Sequence, residues 1–373
     1  VAVPVWKFNL TNMNDAKTST VATQFNLVVA ENEMKIDATE PSQNNFSLGN
    51  AKKLTAFADT HGMEVRGHTL VWHQQVPGWI SQDGKKNNHN WTKEQLTEIM
   101  RNHINGVAGG LKGSIREWDV VNECLDDDQS VVWSDPNGYR MRSTVWNNVI
   151  GEEFLVKAFQ MAHEADPDAK LFINDYGVEF IGDPKAEAYY NLVKKLVELG
   201  APIHGVGFQC HLTTGQLNAK RLKDNLRRYA DLGLEVAVTE LDIAQYDPKD
   251  ANAARMQAED YCATVMAALS LENCKTVLIW GLCDPDSWRD NNPLIYDGGA
   301  KPKEAYYAVH AALRALANRN DVEGLDADIA KEAAAIEYFN LQGMRVASDA
   351  RGILIKRTVY TDGSSQSVKI AND

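Results

Sequence analysis

The stretch Ile-Arg-Glu-Trp-Asp-Val-Val-Asn-Glu at residues 115–123 shows the pattern that decides the fold of this chain. A short run rich in large apolar residues ends in polar side chains. Further runs rich in Val, Ile, Leu or Phe follow the same plan, and several show no alternation of polar and apolar residues. They lie at 25–31, 64–72, 170–176, 203–211, 234–241 and 276–282. Such runs are typical of strands buried on both faces, as in a parallel sheet.

Longer amphipathic segments separate these runs and predict helices. They lie at 48–61, 92–110, 145–165, 184–199, 217–232, 251–271 and 302–317. An eighth pair would need a strand within 3–10, despite Pro4, and a helix within 14–23. Eight strand–helix repeats are typical of an α/β fold of the (β/α)8 TIM barrel type. A doubly wound open sheet is the competing fold, but no Gly-x-Gly-x-x-Gly motif follows an early strand.

The pattern changes after about residue 318. The polar stretch 318–323 predicts a linker, and 327–336 predicts a short helix. Segments 338–347, 352–361 and 366–370 predict strands joined by polar turns. We therefore expect a barrel domain over 1–319, followed over 320–373 by a linker, a short helix and a small C-terminal β appendage.

Composition limits the classes of function. The 373 residues carry a formal net charge of -13, which argues against binding to nucleic acid or to an anionic membrane. No apolar run is long enough for a membrane span. Five cysteines without a Cys-x-x-Cys spacing do not form a disulfide framework or a zinc site. The chain begins at Val1 without a leader, which is expected of a processed protein or a fragment.

Polar residues cluster where the predicted strands end, which in a TIM barrel is the face that carries the active site. Glu123 and Glu240 end the fourth and seventh predicted strands and should face each other across the barrel mouth. Two carboxyl groups over a cleft with aromatic walls are what glycoside hydrolysis requires. The charge of Glu240 would help Glu123 keep its proton until Glu240 is esterified by the sugar.

The ordered motifs of this chain resemble glycoside hydrolase family 10, the endo-β-1,4-xylanases. The resemblance covers about residues 26–309 and depends on seven motifs. These are Glu31-Asn32-Glu33-Met34-Lys35, Arg66 through His73, Trp118 through Glu123, Asn174-Asp175-Tyr176, Gly207 through His211, Thr239-Glu240-Leu241-Asp242 and Trp280 through Arg289.

The resemblance implies endo-acting cleavage of xylan with retention of configuration, with Glu123 as acid/base and Glu240 as nucleophile. It implies that Asn122 binds the sugar 2-hydroxyl, that His211 orients the nucleophile and that Gln209 contacts the acid/base. Polar contacts to the glycone are implied for Glu31, Asn32, Lys35 and His73. Aromatic contacts to the substrate are implied for Trp79, Tyr176, Trp280 and Trp288. No metal or other cofactor is needed, because the two carboxyl groups supply the proton and the nucleophile.

The resemblance leaves several questions open. A β-glucanase or mannanase on a similar barrel is the rival enzyme, and an inactive xylan-binding protein is the rival outside enzymes. Some relatives from gut bacteria carry carbohydrate-binding modules near the first strand, so we expect the chain to be part of a longer protein. The tail resembles C-terminal segments of secreted Bacteroidetes proteins. This likeness suggests a gut or rumen source and a secreted, cell-surface or periplasmic location.

Overall fold

Nine short parallel strands, most of them buried, organise the first part of the chain. The computed structural model describes residues 1–326, 333–340, 345–348, 350, 352–360 and 365–372. The strands of this part are β1 (Ala2–Val3), β2 (Leu27–Ala30), β3 (Glu64–Val71), β4 (Glu117–Asn122), β5 (Lys170–Asp175), β6 (Gly205–Phe208), β7 (His211–Thr213), β8 (Glu235–Ala244) and β9 (Cys274–Ile279). The chain divides into two units, Val1–Leu313 and Arg314–Asp373.

Helices follow the strands. They are α1 (Ala16–Gln24), α2 (Ile36–Thr39), α3 (Gly49–Thr60), α4 (Lys93–Val107), α5 (Val145–Ile150), α6 (Phe154–Ala165), α7 (Pro184–Glu198), α8 (Ala219–Arg228), α9 (Ala253–Leu269) and α10 (Glu304–Asp326). Parallel pairing runs from β1 through β6 to β8 and then β9, while β7 is an extra short strand beside β8. The predicted (β/α)8 barrel is confirmed, as a nearly closed eight-stranded barrel.

A large buried side chain on one strand needs a small neighbour on the next strand. Trp118 of β4 is fully buried, and its ring lies against Gly67 of β3. A Cβ atom at Gly67 would come within 2.2 Å of that ring. Glycine is therefore required here because no side chain fits between the strand and the indole.

Buried charges lie within the barrel. The Arg66 guanidinium on β3 donates to Glu117 Oε1 at 2.7 Å and to both carboxylate oxygens of Asp119 on β4. Asp119 also bonds His68 Nδ1 at 3.0 Å. The exposed fraction of each of these four residues is 2% or less. Since isolated buried charges are unfavourable, this pairing keeps the cluster stable.

The first strand is shorter than the sequence suggests. Only Ala2 and Val3 pair with β2, so the strand that the eighth pair would need within 3–10 lies at 2–3 instead, before Pro4. Pro4 has no N–H to donate to a sheet, and its carbonyl instead accepts from the N–H groups of Lys7 and Phe8 in a turn. The predicted helix over 145–165 is broken into α5 and α6 at Gly151, whose φ of 85° ends the first helix.

The second unit contains a four-stranded antiparallel sheet, as expected of a β appendage. Its strands are β10 (Ala333–Phe339), β11 (Arg345–Val346), β12 (Gly352–Tyr360) and β13 (Ser365–Asn372), in the order β11-β10-β12-β13. The predicted linker over 318–323 is wrong because α10 continues to Asp326, and no glycine or proline interrupts it before Gly324. The predicted helix over 327–336 is wrong at 333–336, where pairing with β12 overrides the alanine run. Residues 327–332 lie outside the described residues.

Candidate active site

The carboxyl ends of the barrel strands surround a cleft of about 860 Å³. Eleven of the thirteen residues that the sequence predicts for the site line this cleft. They are Glu31, Asn32, Lys35, Asn122, Glu123, Tyr176, Gln209, His211, Glu240, Trp280 and Trp288. Parallel strands direct their carboxyl ends to one face, so residues far apart in the sequence meet there.

Glu123 follows the last residue of β4 and is held on all sides. Its backbone φ is 54°, a region that costs energy for residues other than glycine, and its N–H donates to Asn174 O at 2.8 Å. The Trp72 indole N–H donates to Glu123 Oε2 at 2.9 Å. The amides of Gln209 and Asn122 donate to Glu123 Oε1 at 3.0 and 3.3 Å. The carboxyl group therefore has a fixed direction.

The surroundings of Glu123 favour its neutral form. Burial raises the pKa of this carboxyl, and the negative charges of Asp175 and Glu240 raise it further, against the hydrogen bonds from Gln209 and Trp72. His73 Nδ1 lies 3.6 Å from Glu123 Oε2. Burial and then Arg142 lower the pKa of His73 to about 3, so this imidazole is neutral near pH 7. A carboxyl group that keeps its proton can act as a general acid.

Glu240 lies within β8 and is bound by charge-stabilising donors. Asn174 Nδ2 donates to Glu240 Oε1 at 2.8 Å, and His211 Nε2 lies 3.2 Å from Glu240 Oε2. On its other side, His211 Nδ1 lies 2.8 Å from Asp242 Oδ2. Burial alone would lower the pKa of His211, but Asp242 and Glu240 together raise it to about 10. The imidazolium therefore donates to both carboxylates.

Two amides lie between the carboxyl groups. Asn122 Oδ1 accepts from Asn174 Nδ2 at 3.0 Å and from Gln209 Nε2 at 3.3 Å. Thr239 fixes the direction of the Asn174 amide by donating its hydroxyl to Asn174 Oδ1 at 2.7 Å. Each amide therefore presents its N–H₂ group toward a glutamate.

Three polar residues of the motif at 31–35, Glu31, Asn32 and Lys35, lie along the same cleft. Lys35 Nζ donates to Asn32 Oδ1 at 3.0 Å and lies 4.8 Å from the centre of the Trp72 ring. Burial lowers the pKa of Lys35, against the attraction of Glu240, Glu123 and Glu31. Burial, followed by the charge of Glu33, raises the pKa of Glu31 to about 7. These groups offer donors and acceptors to sugar hydroxyls.

Two indoles shape the cleft differently. Trp280 is 8% exposed and packs edge-on against His68. Trp288 is 65% exposed, packs against the His211 ring, and donates its N–H to Asp242 Oδ2 at 3.0 Å. Trp280 is therefore a rigid wall, whereas Trp288 extends toward solvent.

Two predicted site residues lie outside the cleft lining. His73 contacts the acid/base candidate from behind, as described above. Trp79 is partly buried against the core, and its N–H donates to the Glu40 carbonyl at 3.1 Å. The structure therefore does not bring Trp79 to the cleft wall.

The sequence did not predict four residues that contact Glu123, Glu240 or His211. Trp72, Asn174 and Asp242 lie inside the motifs quoted above, yet only their neighbours were selected. Arg142 lies in the loop between β4 and α5, and its Nε donates to the Glu123 carbonyl at 3.0 Å. The strand-end position could have indicated the first three, but nothing in the sequence marks Arg142. Within the part of the chain that the structure describes, no cluster of three His, Cys, Asp or Glu residues could hold a metal ion, and no helix is long and apolar enough to cross a membrane.

Comparison with known proteins agrees with this geometry. Residues 2–312 match the model of glycosyl hydrolase family 10. A β-1,4-xylanase of Dictyoglomus thermophilum is 39% identical over 304 residues, which are 76% of this chain and 81% of that protein. An exoglucanase, XynX, of Acetivibrio thermocellus is 36% identical over 84% of this chain, which spans 29% of that protein. The crystal structure of xylanase 10B of Thermotoga petrophila with xylobiose superposes with a TM-score of 0.75, at 34% identity over 84% of this chain and 92% of that one.

Proposed function

The chain belongs to glycosyl hydrolase family 10, and we propose that it hydrolyses internal β-1,4-xylosidic bonds of xylan with retention of anomeric configuration. The names of its relatives support xylan and xylo-oligosaccharides as the substrate class. The observation that carries the mechanism is the contrast between two glutamates in one cleft. Glu123 lies where burial and neighbouring charges favour the protonated form, and Glu240 accepts hydrogen bonds from an imidazolium and an amide.

The reaction follows from this contrast in two displacements. A Glu240 oxygen attacks the anomeric carbon, the bond from that carbon to the leaving sugar breaks, and Glu123 gives its proton to the departing oxygen. A water molecule then attacks the same carbon, and Glu123 removes a proton from that water. The bond between the carbon and Glu240 breaks in this step. Retention requires carboxyl groups about 5–5.5 Å apart.

The change of role at Glu123 has an electrostatic cause. The charge of Glu240 is one of the influences that raise the pKa of Glu123. Esterification removes that charge, so the second step meets a carboxyl group that ionises more readily. The same side chain can therefore be an acid first and a base afterwards.

We assign the preference for xylan over glucan to the Trp280 indole. Xylose lacks the hydroxymethyl group that glucose carries at C5, and the rigid wall of Trp280 suits a ring without it. A pocket that distinguishes a group of this size discriminates by only about 1–3 kcal/mol. A relative named as an exoglucanase makes glucan the second candidate substrate. Initial rates on xylan and on soluble cellulose will separate the two, and equal rates would contradict the xylan proposal.

Azide rescue tests the assignment of roles. In Glu240→Gly, azide should attack the anomeric carbon directly and give the inverted glycosyl azide. In Glu123→Gly, azide should attack the glycosyl-enzyme in place of water and give the retained product. An inverted azide from Glu123→Gly would exchange the two roles, and a binding protein would release no product with either variant or with the unmodified chain.

We further propose that the parent protein is exported, because polymeric xylan does not enter cells. A cell-surface or periplasmic location and attached carbohydrate-binding modules remain predictions. Immunoblotting of culture medium, surface and cytoplasmic fractions of the source organism tests the location, and recovery in the cytoplasm alone would contradict it.

A further inference from the structure

One guanidinium links the acid/base candidate to an aromatic residue of the cleft. Arg142 Nε donates to the backbone carbonyl of Glu123 at 3.0 Å, and Arg142 Nη2 donates to the Tyr176 hydroxyl at 3.0 Å. The same guanidinium donates to both carboxylate oxygens of Asp127, from Nη2 to Oδ1 at 2.8 Å and from Nη1 to Oδ2 at 3.2 Å. The Arg142 side chain is 15% exposed, whereas Glu123 and Tyr176 line the cleft. Arg142 therefore lies behind both residues.

The partners of Arg142 are themselves fixed. The Tyr176 hydroxyl donates to Asp127 Oδ1 at 2.5 Å, and Lys185 Nζ lies 3.6 Å from the centre of the Tyr176 ring. Lys185 also bonds Asp127 at 3.1 Å and Asp175 at 3.0 Å. Asp127 therefore joins two cations and a phenol, and the guanidinium has one orientation.

The backbone at Glu123 needs such a support. With φ at 54°, the residue occupies the left-handed region, which a residue with a Cβ leaves unless its surroundings hold it. Two backbone bonds hold the adjacent groups: Glu123 N–H to Asn174 O, and Arg142 N–H to Cys124 O. The Glu123 carbonyl accepts from the Arg142 side chain. Rotation of this peptide would turn the Cα–Cβ bond and move the carboxyl group away from the leaving oxygen.

We propose that Arg142 is a positioning residue that holds the backbone of Glu123 so that its carboxyl group points at the oxygen of the departing sugar. The inference rests on the proposed role of Glu123 as general acid. Arg142 does not line the cleft, and its effect passes through the Glu123 carbonyl. Its loss should therefore weaken protonation of the leaving group without weakening attack by Glu240.

The test measures dependence on the leaving group in Arg142→Met, using aryl β-xylobiosides from dinitrophenyl to phenyl. A misplaced acid should slow cleavage of the phenyl substrate about 10²-fold, as expected of a displacement near 1 Å. Bond cleavage of the dinitrophenyl substrate, followed as the pre-steady-state burst, should change less than about threefold because that leaving group needs little protonation. The misplaced Glu123 should also be a poorer base for the water that releases the glycosyl-enzyme. Steady-state kcat and KM on the dinitrophenyl substrate should therefore fall together, and azide, which needs no base, should restore kcat.

Matched variants make the result decisive. Arg140→Met removes a neighbouring arginine of the same loop, which is exposed and bonds only Asp128 through its side chain, and should behave as the unmodified enzyme. Arg142→Lys keeps the positive charge but loses the planar guanidinium with its several N–H donors, so its rates should depend on the leaving group to an intermediate degree. This variant also replaces Arg142→Met if that variant does not fold. Equal loss on both substrates, or none, would overturn the positioning role. If Glu123→Ala shows no dependence on the leaving group, the proposed function itself fails.

Discussion

Replacement of Arg66 by methionine should destabilise the barrel. It should also reverse the sign of the contribution that Asp119 makes to the pH dependence of the unfolding free energy. The change removes a guanidinium that donates to Glu117 and Asp119, and leaves these carboxylates about 1% exposed. Breaking a buried pair from one side costs about 3–5 kcal/mol. His68 still contacts Asp119, and Arg116 Nε lies 3.8 Å from Glu117 Oε2, so we expect the lower part of that range. The melting temperature should fall by roughly 5 °C.

Asp119 should change the unfolding free energy in opposite directions in the two proteins as pH falls. Burial would raise the pKa of Asp119, but Arg66 and His68 outweigh it and the pKa is lowered. In the unmodified protein this carboxylate contributes stability above the unfolded pKa of about 4, and the contribution is lost as pH falls through the folded value. Without Arg66, burial dominates and the folded pKa rises above the unfolded value. The variant therefore regains stability as pH falls through its raised pKa.

Urea unfolding measured between pH 7 and about pH 4 tests both the loss of stability and its pH dependence. The difference in unfolding free energy between the two proteins should be largest near pH 7 and should narrow toward pH 4. Arg255→Met is the control, because the side-chain partners of Arg255 among the described residues are the exposed Glu259 and Asn252, and the change should alter stability by less than about 0.5 kcal/mol. A difference that stays constant or grows as pH falls would refute the argument from buried charge.

Three further predictions concern the cleft. Asp175→Asn removes a charge that raises the pKa of Glu123, so the basic limb of the pH profile of kcat/KM should move to lower pH by about one pH unit. Gly207→Ala places a Cβ 2.2 Å from Asn174 Oδ1, so kcat on xylan should fall at least about tenfold with little change in KM. Asn174→Asp replaces the amide that donates to the nucleophile with a carboxylate, and kcat should fall about 10²–10³-fold, with unchanged kcat counting against a role for this amide.

The fold was predictable where one physical signal dominates. Buried parallel strands have apolar faces on both sides, so seven of the eight barrel strands stand out in the sequence. The first strand does not, because two residues carry too little pattern and Pro4 ends it. In the second unit the run Ala333-Ala334-Ala335 favours a helix locally, yet the strand pairing to β12 decides. Local propensity is a weak guide where long-range pairing competes with it.

The site was predictable residue by residue only where chemistry requires a side-chain type at a strand end. Glu123 and Glu240 could be selected on that basis, whereas His211 and the indoles were selected through the family resemblance. Residues that act from behind could not, since their value depends on distances across the barrel. Asn174 reaches Glu240 over 66 positions in sequence, and Arg142 reaches the Glu123 carbonyl from a loop without a distinctive motif.

The arrangement also explains how two chemically identical side chains can perform different tasks. Glu240 receives its hydrogen bonds from a cation and an amide, while Glu123 receives them from an indole and two amides, with no cation among its donors. Asn122 and Asn174 connect the two groups through a chain of hydrogen bonds. When Glu240 loses its charge, Asn174 loses its ionic acceptor and Glu123 loses a repelling neighbour. The two carboxyl groups therefore differ by the His211 imidazolium, which contacts Glu240, and in the proposed mechanism the loss of charge at Glu240 prepares Glu123 for its role as base.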